Sequence, residues 1–465
     1  MNSHSHITFY KSTIRKVMTT AVTLFDPKSL LLGVVIALIV TAQSCVVVEN
    51  HYTSVAPGIW RAVLQLTPNT ISPNKKGEPL PEKVNLKFEE ATEGELPFLF
   101  EVKYKNDTAF TIDIINGEER IGVAAEDIVI GRNKETGSDT ILINFPVFGS
   151  FIRAIYRERV MEGEWVVPAK SSSIPFIAHY GMSHRFTTLA KTPTADLSGK
   201  WECTFDLNSE KPYKAVGEFK QNGNILMGTF RTETGDYRFL DGEVQADKFY
   251  LSCFDAAHAF LFEGKIKPDG TLNGLFRSGK SGQEVWEGKR NDAFDLRKAE
   301  SLTTVKSADK SIDFTFPNAE GKSVSLKDYE GKVKIIQIMG TWCPNCRDES
   351  NFLVDYLSKN PTDKLGIVGL AFERNADIAT TQVTTYKKRM NIPYQILIAG
   401  TSTKKDEAAK ALPWINDVIA FPTMVIVDKK NKVRLIHTGF DGPATSKYAD
   451  FVKEFDILIK GLIAE

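Results

Sequence analysis

The ten residues GTWCPNCRDE (340–349) carry two cysteines separated by two residues. They follow the apolar run KVKIIQIM, which predicts a buried strand, and they lead into a predicted helix over 345–358. Cys343 is thus placed at a helix start, where free backbone N–H groups and the helix dipole stabilise a thiolate. Pro344 suits the first helical turn, which needs no backbone N–H. The pattern predicts that Cys343 is a nucleophile.

Cys346 follows one helical turn later, close enough to attack a mixed disulfide formed at Cys343. Glu349, three residues further along the same helical face, is placed to take the proton of the Cys346 thiol. A Cys-x-x-Cys pair is also half of a zinc site, but the part of the chain around the motif, residues 312–465, has no second pair, and its only histidine is His437. The spacing therefore predicts a redox-active dithiol without a metal.

The sequence around this motif alternates apolar strands with amphipathic helices, over residues 312–465. Strands are predicted at KVKIIQIMG, LGIVGLAF, YQILIA, TMVIVD and KVRLIHTG. Helices are predicted at 345–358, 376–390, 403–411 and 446–462. Such alternation predicts an α/β domain whose sheet is covered on both faces.

The region from Pro57 to Arg290 has short segments of alternating polarity and no helical period. Turn signals between apolar-rich runs predict antiparallel hairpins at Asn116-Gly117, Asn222-Gly223 and Pro268-Asp269-Gly270. This part of the chain is therefore predicted to be all-β.

Two stretches of the β region are similar in rhythm, and each opens with a Gly-x-Trp sequence, at Gly58 and at Gly199. They predict two related β units, at 57–167 and 199–291, joined by the segment 168–198. A polar, Pro-rich excursion interrupts the first unit, and a polar linker leads to the α/β domain; these segments are 67–96 and 292–311.

The N-terminal region contains a run of twenty residues without charge, Ser29–Val48. It is either a signal peptide, with its apolar core at Leu30–Val40, or an uncleaved membrane-spanning helix. The sequence Ala-Gln-Ser-Cys, which ends at Cys45, resembles the lipobox of bacterial lipoproteins. Residues 1–45 are therefore the predicted signal peptide or membrane anchor, with Cys45 as the lipidation site.

Either kind of N-terminal segment places the remaining chain outside the cytoplasm, where disulfides persist. Cys203 and Cys253 then either pair or serve as small buried apolar residues. His179 and His184 are interpreted as solvated loop residues rather than metal ligands. With 58 basic and 58 acidic side chains, the chain has no net charge that would attract nucleic acid.

Residues 311–463 resemble the TlpA/ResA family of membrane-anchored bacterial thiol–disulfide oxidoreductases, which have a thioredoxin-like fold. The resemblance lies in FTFPNAEGKSVSLKDYEGKVKIIQIMGTWCPNCRDE and in IAFPTMVIVDKKNKVR. It implies that Phe421-Pro422 forms a cis peptide opposite Cys343 and that Glu349 is the family's acidic residue after the second cysteine. Gln337 stands where ordinary thioredoxins have a buried aspartate. The Pro-Asn dipeptide between the cysteines departs from the family's commoner forms, which leaves the redox potential open.

Substrate contact is expected at Trp342, Pro344, Phe421 and Pro422. The predicted function is that of an oxidoreductase anchored in the bacterial cell envelope, which reduces disulfides of partner proteins. Its implied partners are protein thiols and disulfides and an upstream thiol electron donor, and no bound cofactor is implied. One alternative is an envelope ligand-binding protein in which the β units carry the main function. A thiol peroxidase is the other alternative, although its resolving cysteine would usually be distant.

Overall fold

The structure is a computed structural model that describes residues 54–66, 93–306, 309, 311–403 and 406–465. The predicted anchor at 1–45 lies outside the described residues, and so does most of the excursion at 67–96. Among the residues that are described, no helix is both long enough and apolar enough to cross a membrane.

The first β unit is an antiparallel sheet to which the described residues contribute nine strands. In Ser150–Arg157 every second residue is buried, as expected of a strand with one face on a core. The strands lie in the order β4-β3-β2-β1-β9-β8-β7-β6-β5. They are β1 Gly58–Gln65, β2 Glu95–Tyr104, β3 Phe110–Asn116, β4 Glu119–Val123, β5 Ile128–Arg132, β6 Asp139–Phe145, β7 Ser150–Arg157, β8 Val160–Val167 and β9 Ser172–Tyr180.

The predicted end of the first unit at residue 167 is wrong, because β9 lies beyond it and pairs with both β1 and β8. The serines and Pro175 made this segment resemble a linker. The pairing with β1 stops at Phe176, so Pro175 has a neighbouring strand on one side only, where a proline is tolerated. His179 is accordingly a half-buried strand residue and not a loop residue.

The second β unit is a closed antiparallel barrel. Its strands lie in the order β11-β10-β18-β17-β16-β15-β14-β12, and β11 also pairs with β12, which closes the ring; the short strand β13 turns back and pairs with the end of β12. They are β10 Gly199–Phe205, β11 Tyr213–Asn222, β12 Ile225–Thr232, β13 Gly235–Asp236, β14 Leu240–Gln245, β15 Lys248–Phe254, β16 Ala259–Ile266, β17 Leu272–Ser278 and β18 Gly282–Arg290. Large aromatic side chains fill the interior, among them Trp201, Phe205, Phe230, Phe262 and Trp286.

The two β units share their strand order. In each unit the first strand lies between the second and the last. Beyond the last strand, the preceding strands follow one another in descending order. Each also opens alike, since Trp60 Nε1 donates to the carbonyl of Ala56 and Trp201 Nε1 to that of Leu197, at 2.9 Å in both cases. The units differ in the pairing of β12 with β14, which has no counterpart among the described strands of the first unit.

The predicted hairpin turns all connect adjacent antiparallel strands. They join β3 to β4, β11 to β12 and β16 to β17. Gly117 and Gly223 have φ values of 54° and 58°, the left-handed conformation that two-residue hairpin turns require.

The α/β domain has a five-stranded sheet in the order β23-β22-β21-β24-β25. Strands β21, β22 and β23 are parallel to one another; β24 is antiparallel to β21, and β25 is antiparallel to β24, so β25 runs in the same direction as the first three. A short hairpin precedes the sheet. The strands are β19 Thr315–Pro317, β20 Ser323–Ser325, β21 Val333–Met339, β22 Leu365–Glu373, β23 Gln395–Thr401, β24 Thr423–Val427 and β25 Val433–Thr438.

Four α-helices of the described residues belong to this domain: α1 Pro344–Lys359, α2 Ala379–Arg389, α3 Glu407–Ala411 and α4 Tyr448–Ala464. Single 3-10 turns occur at Ala125–Asp127, Pro168–Lys170, Ala299–Ser301, Leu326–Tyr329 and Ala376–Ile378. Successive residues of β21 alternate between two cores: Ile335 packs with α1, α2 and α4, and Ile336 packs with α3. The sheet is therefore covered on both faces, as predicted.

Candidate active site

Cys343 lies between the end of β21 at Met339 and the start of α1 at Pro344, and it caps that helix. Its Sγ lies 3.4 Å from the carbonyl oxygen of Phe421, on the opposite side of the site. Cys343 is 8% exposed and Cys346 is 0% exposed. Only Cys343 is therefore accessible to another molecule.

The two thiols have opposite acidities. A hydrogen bond from Cys346 lowers the pKa of Cys343, and the backbone N–H groups of Cys346 and Asn345 and the charge of Arg374 act in the same direction. Burial raises the pKa of Cys346 well above its usual value, and the hydrogen bond to Cys343 raises it further. Cys343 thus forms a thiolate more readily than Cys346, and Cys346 holds its proton more tightly.

Glu349 is fully buried on α1, and the side-chain amide of Gln337 lies close enough to lower the pKa of its carboxyl group. Burial raises the pKa of Glu349 to about 8, and the negative charge on Cys343 contributes to the rise. The charge on Glu349 in turn raises the pKa of Cys346, so the two groups lie within electrostatic reach. A carboxyl group with this pKa exchanges its proton near neutral pH, as a base for Cys346 requires.

Gln337 lies in β21 beneath the active-site helix, fully buried. Its Nε2 donates to the carbonyl oxygen of Cys346 at 3.3 Å and to Ser350 Oγ at 3.1 Å. Its Oε1 accepts a hydrogen bond from Tyr394 Oη at 3.1 Å. This neutral network fixes the first turns of α1 without placing a second charge beside Glu349.

The residues expected to contact substrate lie around Cys343. The peptide bond Phe421–Pro422 is cis, as the family resemblance implied. The Trp342 ring stands edge-on to Phe421, with the ring centroids 5.6 Å apart, and its Nε1 donates to the carbonyl of Phe372 at 3.0 Å. Pro344 is the first residue of α1. Segments some 80 residues apart in sequence therefore form one site.

Arg374 belongs to this site, although the sequence analysis did not include it. Its guanidinium lies over the Trp342 ring, 4.0 Å from the centroid, and its charge contributes to the lowered pKa of Cys343. It follows the end of β22, which is parallel to β21. The carboxyl ends of parallel strands lie at one edge of a sheet, and this rule could have placed Arg374 near Cys343 from the sequence.

The second β unit contacts the dipeptide between the two cysteines. Asn345 Nδ2 donates to the carbonyl oxygen of Asp236 at 3.4 Å. The backbones approach so closely that a Cβ on Gly235 would lie 2.1 Å from Asn345 Nδ2. Arg238 donates to the carboxylate of Asp348 on α1. The alternating pattern of the β region predicts strands but gives no sign of this contact.

The first β unit also reaches the α/β domain. The guanidinium of Arg347 on α1 lies 5.9 Å from the centroid of the Phe148 ring. Arg389 at the end of α2 forms an ion pair with Asp127 at 2.6 Å. Both β units are therefore in contact with the helices that surround the dithiol.

The other two described cysteines belong to the core of the barrel unit. Cys203 and Cys253 are fully buried and are not joined in a disulfide, as expected of the interpretation in which they are small buried apolar residues. Burial raises the pKa of Cys203 to about 12. The described residues contain no group of three or more His, Cys, Asp or Glu side chains arranged to hold a metal ion.

The fold and the dithiol site define the C-terminal part as a thioredoxin-like domain, and this domain is similar to the TlpA/ResA thiol–disulfide oxidoreductases. Residues 308–436 match the AhpC/TSA family. Thioredoxin-like protein YneN of Bacillus subtilis (strain 168) is 27% identical over 135 residues, which are 29% of this chain and 73% of that protein. Thiol-disulfide oxidoreductase ResA of Bacillus thuringiensis subsp. konkukian (strain 97-27) is 28% identical over 121 residues, 26% of this chain. The match spans 63% of ResA, less than two thirds of its length.

Solved structures match about a third of the chain. A thiol:disulfide interchange protein of the thioredoxin family from Chlorobium tepidum TLS is 21% identical, with a TM-score of 0.27, and the match covers 34% of this chain and 99% of that one. A secreted thiol-disulfide isomerase from Corynebacterium glutamicum is 14% identical, with a TM-score of 0.27, and the match covers 37% and 99% of the two chains.

Proposed function

We propose that the whole protein is an envelope-anchored thiol–disulfide oxidoreductase that reduces disulfides of partner proteins. The observation that carries this proposal is the opposite acidity of two sulfurs one helical turn apart. The accessible sulfur, Cys343, has a lowered pKa, and the buried sulfur, Cys346, has a raised one. Disulfide exchange needs this order of reactivity, because one thiolate must attack first and the second thiol must wait.

The reaction proceeds in two exchanges. The Cys343 thiolate attacks one sulfur of the partner disulfide, which forms a mixed disulfide and releases the other partner sulfur as a thiolate. Cys346 then gives its proton to Glu349 and attacks the sulfur of Cys343. The second partner thiolate leaves and takes up a proton, and Cys343 and Cys346 become a disulfide. Two electrons have passed to the partner, and an upstream thiol donor must restore the dithiol.

The proposal is tested on the full chain by its reduction of insulin disulfides with a thiol donor, together with thiol trapping of the cysteines in cells. A reductase is expected to accelerate insulin reduction and to hold Cys343 and Cys346 mainly reduced in vivo. A dithiol that is fully oxidised in cells would contradict the reducing direction, and a chain without exchange activity would contradict the proposed reaction.

Glu349→Gln is expected to slow the attack of Cys346 on the mixed disulfide by about 10²-fold at pH values above 8, because it removes the base. With a pKa of about 8, Glu349 is protonated at low pH and cannot accept a proton there. In the mixed disulfide Cys343 carries no charge, and burial raises the pKa of Glu349. The rate of the wild-type protein should therefore rise as the pH passes through the raised pKa of Glu349, and the two proteins should converge below it. Stopped-flow measurement of mixed-disulfide resolution gives both profiles.

The matched control for this change is Glu454→Gln, which alters an exposed glutamate on α4. It should leave the pH profile unchanged. If Glu349→Gln shows the wild-type profile, Glu349 has a structural role only, and another group accepts the proton.

The alternative in which the β units act alone as a ligand-binding module is not favoured. Both units contact the active-site helix, through Phe148 in one and through Asp236 and Arg238 in the other. These contacts support a single assembly in which the β region serves the dithiol.

Envelope anchoring is the part of the proposal that depends on sequence alone. Cys45→Ala is expected to block lipid attachment, because it removes the only thiol in the lipobox-like sequence Ala-Gln-Ser-Cys. Metabolic labelling with a radioactive fatty acid should mark the wild-type protein and not the variant. Label on the variant would place the lipid elsewhere, and an unlabelled wild-type protein that stays in the membrane would favour a spanning helix.

A further inference from the structure

A depression of about 330 Å³ opens beside the dithiol. The α/β domain contributes Trp342, Ser402, Val418, Ile419 and Phe421, and the second β unit contributes Thr234. All the described residues that line it are uncharged. Its position next to Phe421, whose carbonyl oxygen lies 3.4 Å from Cys343 Sγ, places it where a substrate segment would continue past the reacting sulfur.

Thr234 belongs to a tight turn between β12 and β13. Its N–H donates to Thr232 Oγ1 at 3.2 Å, and Thr232 Oγ1 donates to the carbonyl of Gly235 at 2.8 Å. The next residue, Asp236, is fixed to the α/β domain, because its carboxylate accepts the N–H of Gly442 at 2.7 Å. The turn is therefore held in place from both sides of Thr234.

The same turn is fixed against the active-site motif itself. Gly235 packs against Asn345, and the φ of Gly235 is 135°, a conformation that other residues rarely adopt. Thr234 is thus presented to the depression by a turn that packs on the residue between the two cysteines. The second β unit therefore forms one wall of the depression beside Cys343 and is not a separate, distant module.

The approach to Cys343 is narrow, because only 8% of this residue is exposed. Ser402 contributes a hydroxyl that hydrogen-bonds to no described residue. We propose, on the basis of the function proposed above, that Thr234 is a specificity-determining residue. It selects disulfides on extended polypeptide segments that carry an uncharged apolar residue next to the reacting cysteine.

The inference is tested with the full chain and three peptides that are identical except for Leu, Glu or Lys beside a cysteine. Each cysteine is joined as a mixed disulfide to 5-thio-2-nitrobenzoate, whose release is followed by its colour. The wild-type protein is expected to have a kcat/KM for the Leu peptide about tenfold above those of the charged peptides. The difference should lie in KM, because Thr234 does not touch the sulfur.

Two substitutions of Thr234 that introduce opposite charges distinguish a change in substrate specificity from a general loss of activity. Thr234→Lys should shift the Glu-to-Lys ratio of kcat/KM about tenfold towards the Glu peptide, and Thr234→Asp should shift it towards the Lys peptide. Thr192→Lys, at an exposed position that precedes the second β unit, should leave the ratio unchanged.

The possible results are distinguishable. Opposite shifts in the two variants support the inference. Equal ratios in both variants, with exchange activity retained, overturn it and leave the proposed function standing. A wild-type chain that releases the chromophore from none of the peptides overturns the proposed function itself.

Discussion

Cys343→Ser is expected to reduce disulfide exchange to the uncatalysed rate, whereas Cys346→Ser should accumulate mixed disulfides with partner proteins. The first change removes the only accessible thiolate of the site, since Cys346 is fully buried and has a raised pKa. The second change leaves the nucleophile in place but removes the thiol that releases the partner. Insulin reduction measures the first effect, and non-reducing electrophoresis of cell extracts measures the second.

Cys203→Ala is the matched control, because Cys203 is a thiol buried in the barrel core, away from the dithiol. It should retain exchange activity and trap no partner. If Cys343→Ser accumulates mixed disulfides and Cys346→Ser does not, the roles of the two sulfurs are reversed, and the acidities inferred from burial are not those that govern the reaction.

The parts of this site that could be predicted from the sequence are those that depend only on the spacing of residues along one helix. The placement of Cys343 at the start of α1 and of Glu349 on the same helix needed only the helical period. The approach of Phe421 to Cys343 was expected from the family resemblance, since no local pattern joins residues so far apart. Arg374 was missed because its charge is unremarkable in sequence, and only the alignment of parallel strand ends brings it to Trp342.

The β region shows the same division between local and long-range information. Turn residues such as Asn222-Gly223 specify hairpins, and these were predicted. The pairing of β10 with β18, which places Trp201 opposite Arg290, depends on how the whole unit closes. The alternation of apolar and polar residues along each strand does not predict which strands pair in this way. The docking of Gly235 on Asn345 is of this second kind, so the wall of the site that Thr234 provides was not predictable from the pattern.

Arg238 is the residue through which the three parts of the described chain meet. It is fully buried and forms ion pairs with Glu119 of the first β unit, Asp255 of the second and Asp348 of α1. Burial by itself would raise the pKa of Asp255, but His258 and Arg238 hold it at about 2. One guanidinium thus faces carboxylates from all three parts at once.

Arg238→Met is therefore expected to destabilise the protein by about 3–5 kcal/mol, the usual cost of leaving a buried charge without its partner. Methionine fills much of the same volume, so the loss reports the charge rather than a cavity. Without the guanidinium, the pKa of Glu119, which burial already raises, should rise further above its value in the unfolded chain, and the pKa of Asp255 should rise from about 2. The folded variant then binds more protons than the unfolded one, and its stability falls as the pH increases. The difference in the free energy of unfolding between the variant and the wild type should be smallest near pH 4 and largest near pH 8, as measured by calorimetric melting.

The control for Arg238→Met is Arg297→Met, which breaks an exposed ion pair with Glu233 next to the Thr234 turn. An exposed ion pair contributes little to the stability of a protein, because water and salt screen it. The melting temperature of this variant should therefore hardly change at any pH. Equal effects of the two changes, or a loss in Arg238→Met that does not depend on pH, would mean that the buried cluster does not hold the β units on the active-site helix. The positions of Asn345 and Thr234 would then depend on the backbone packing of Gly235 alone.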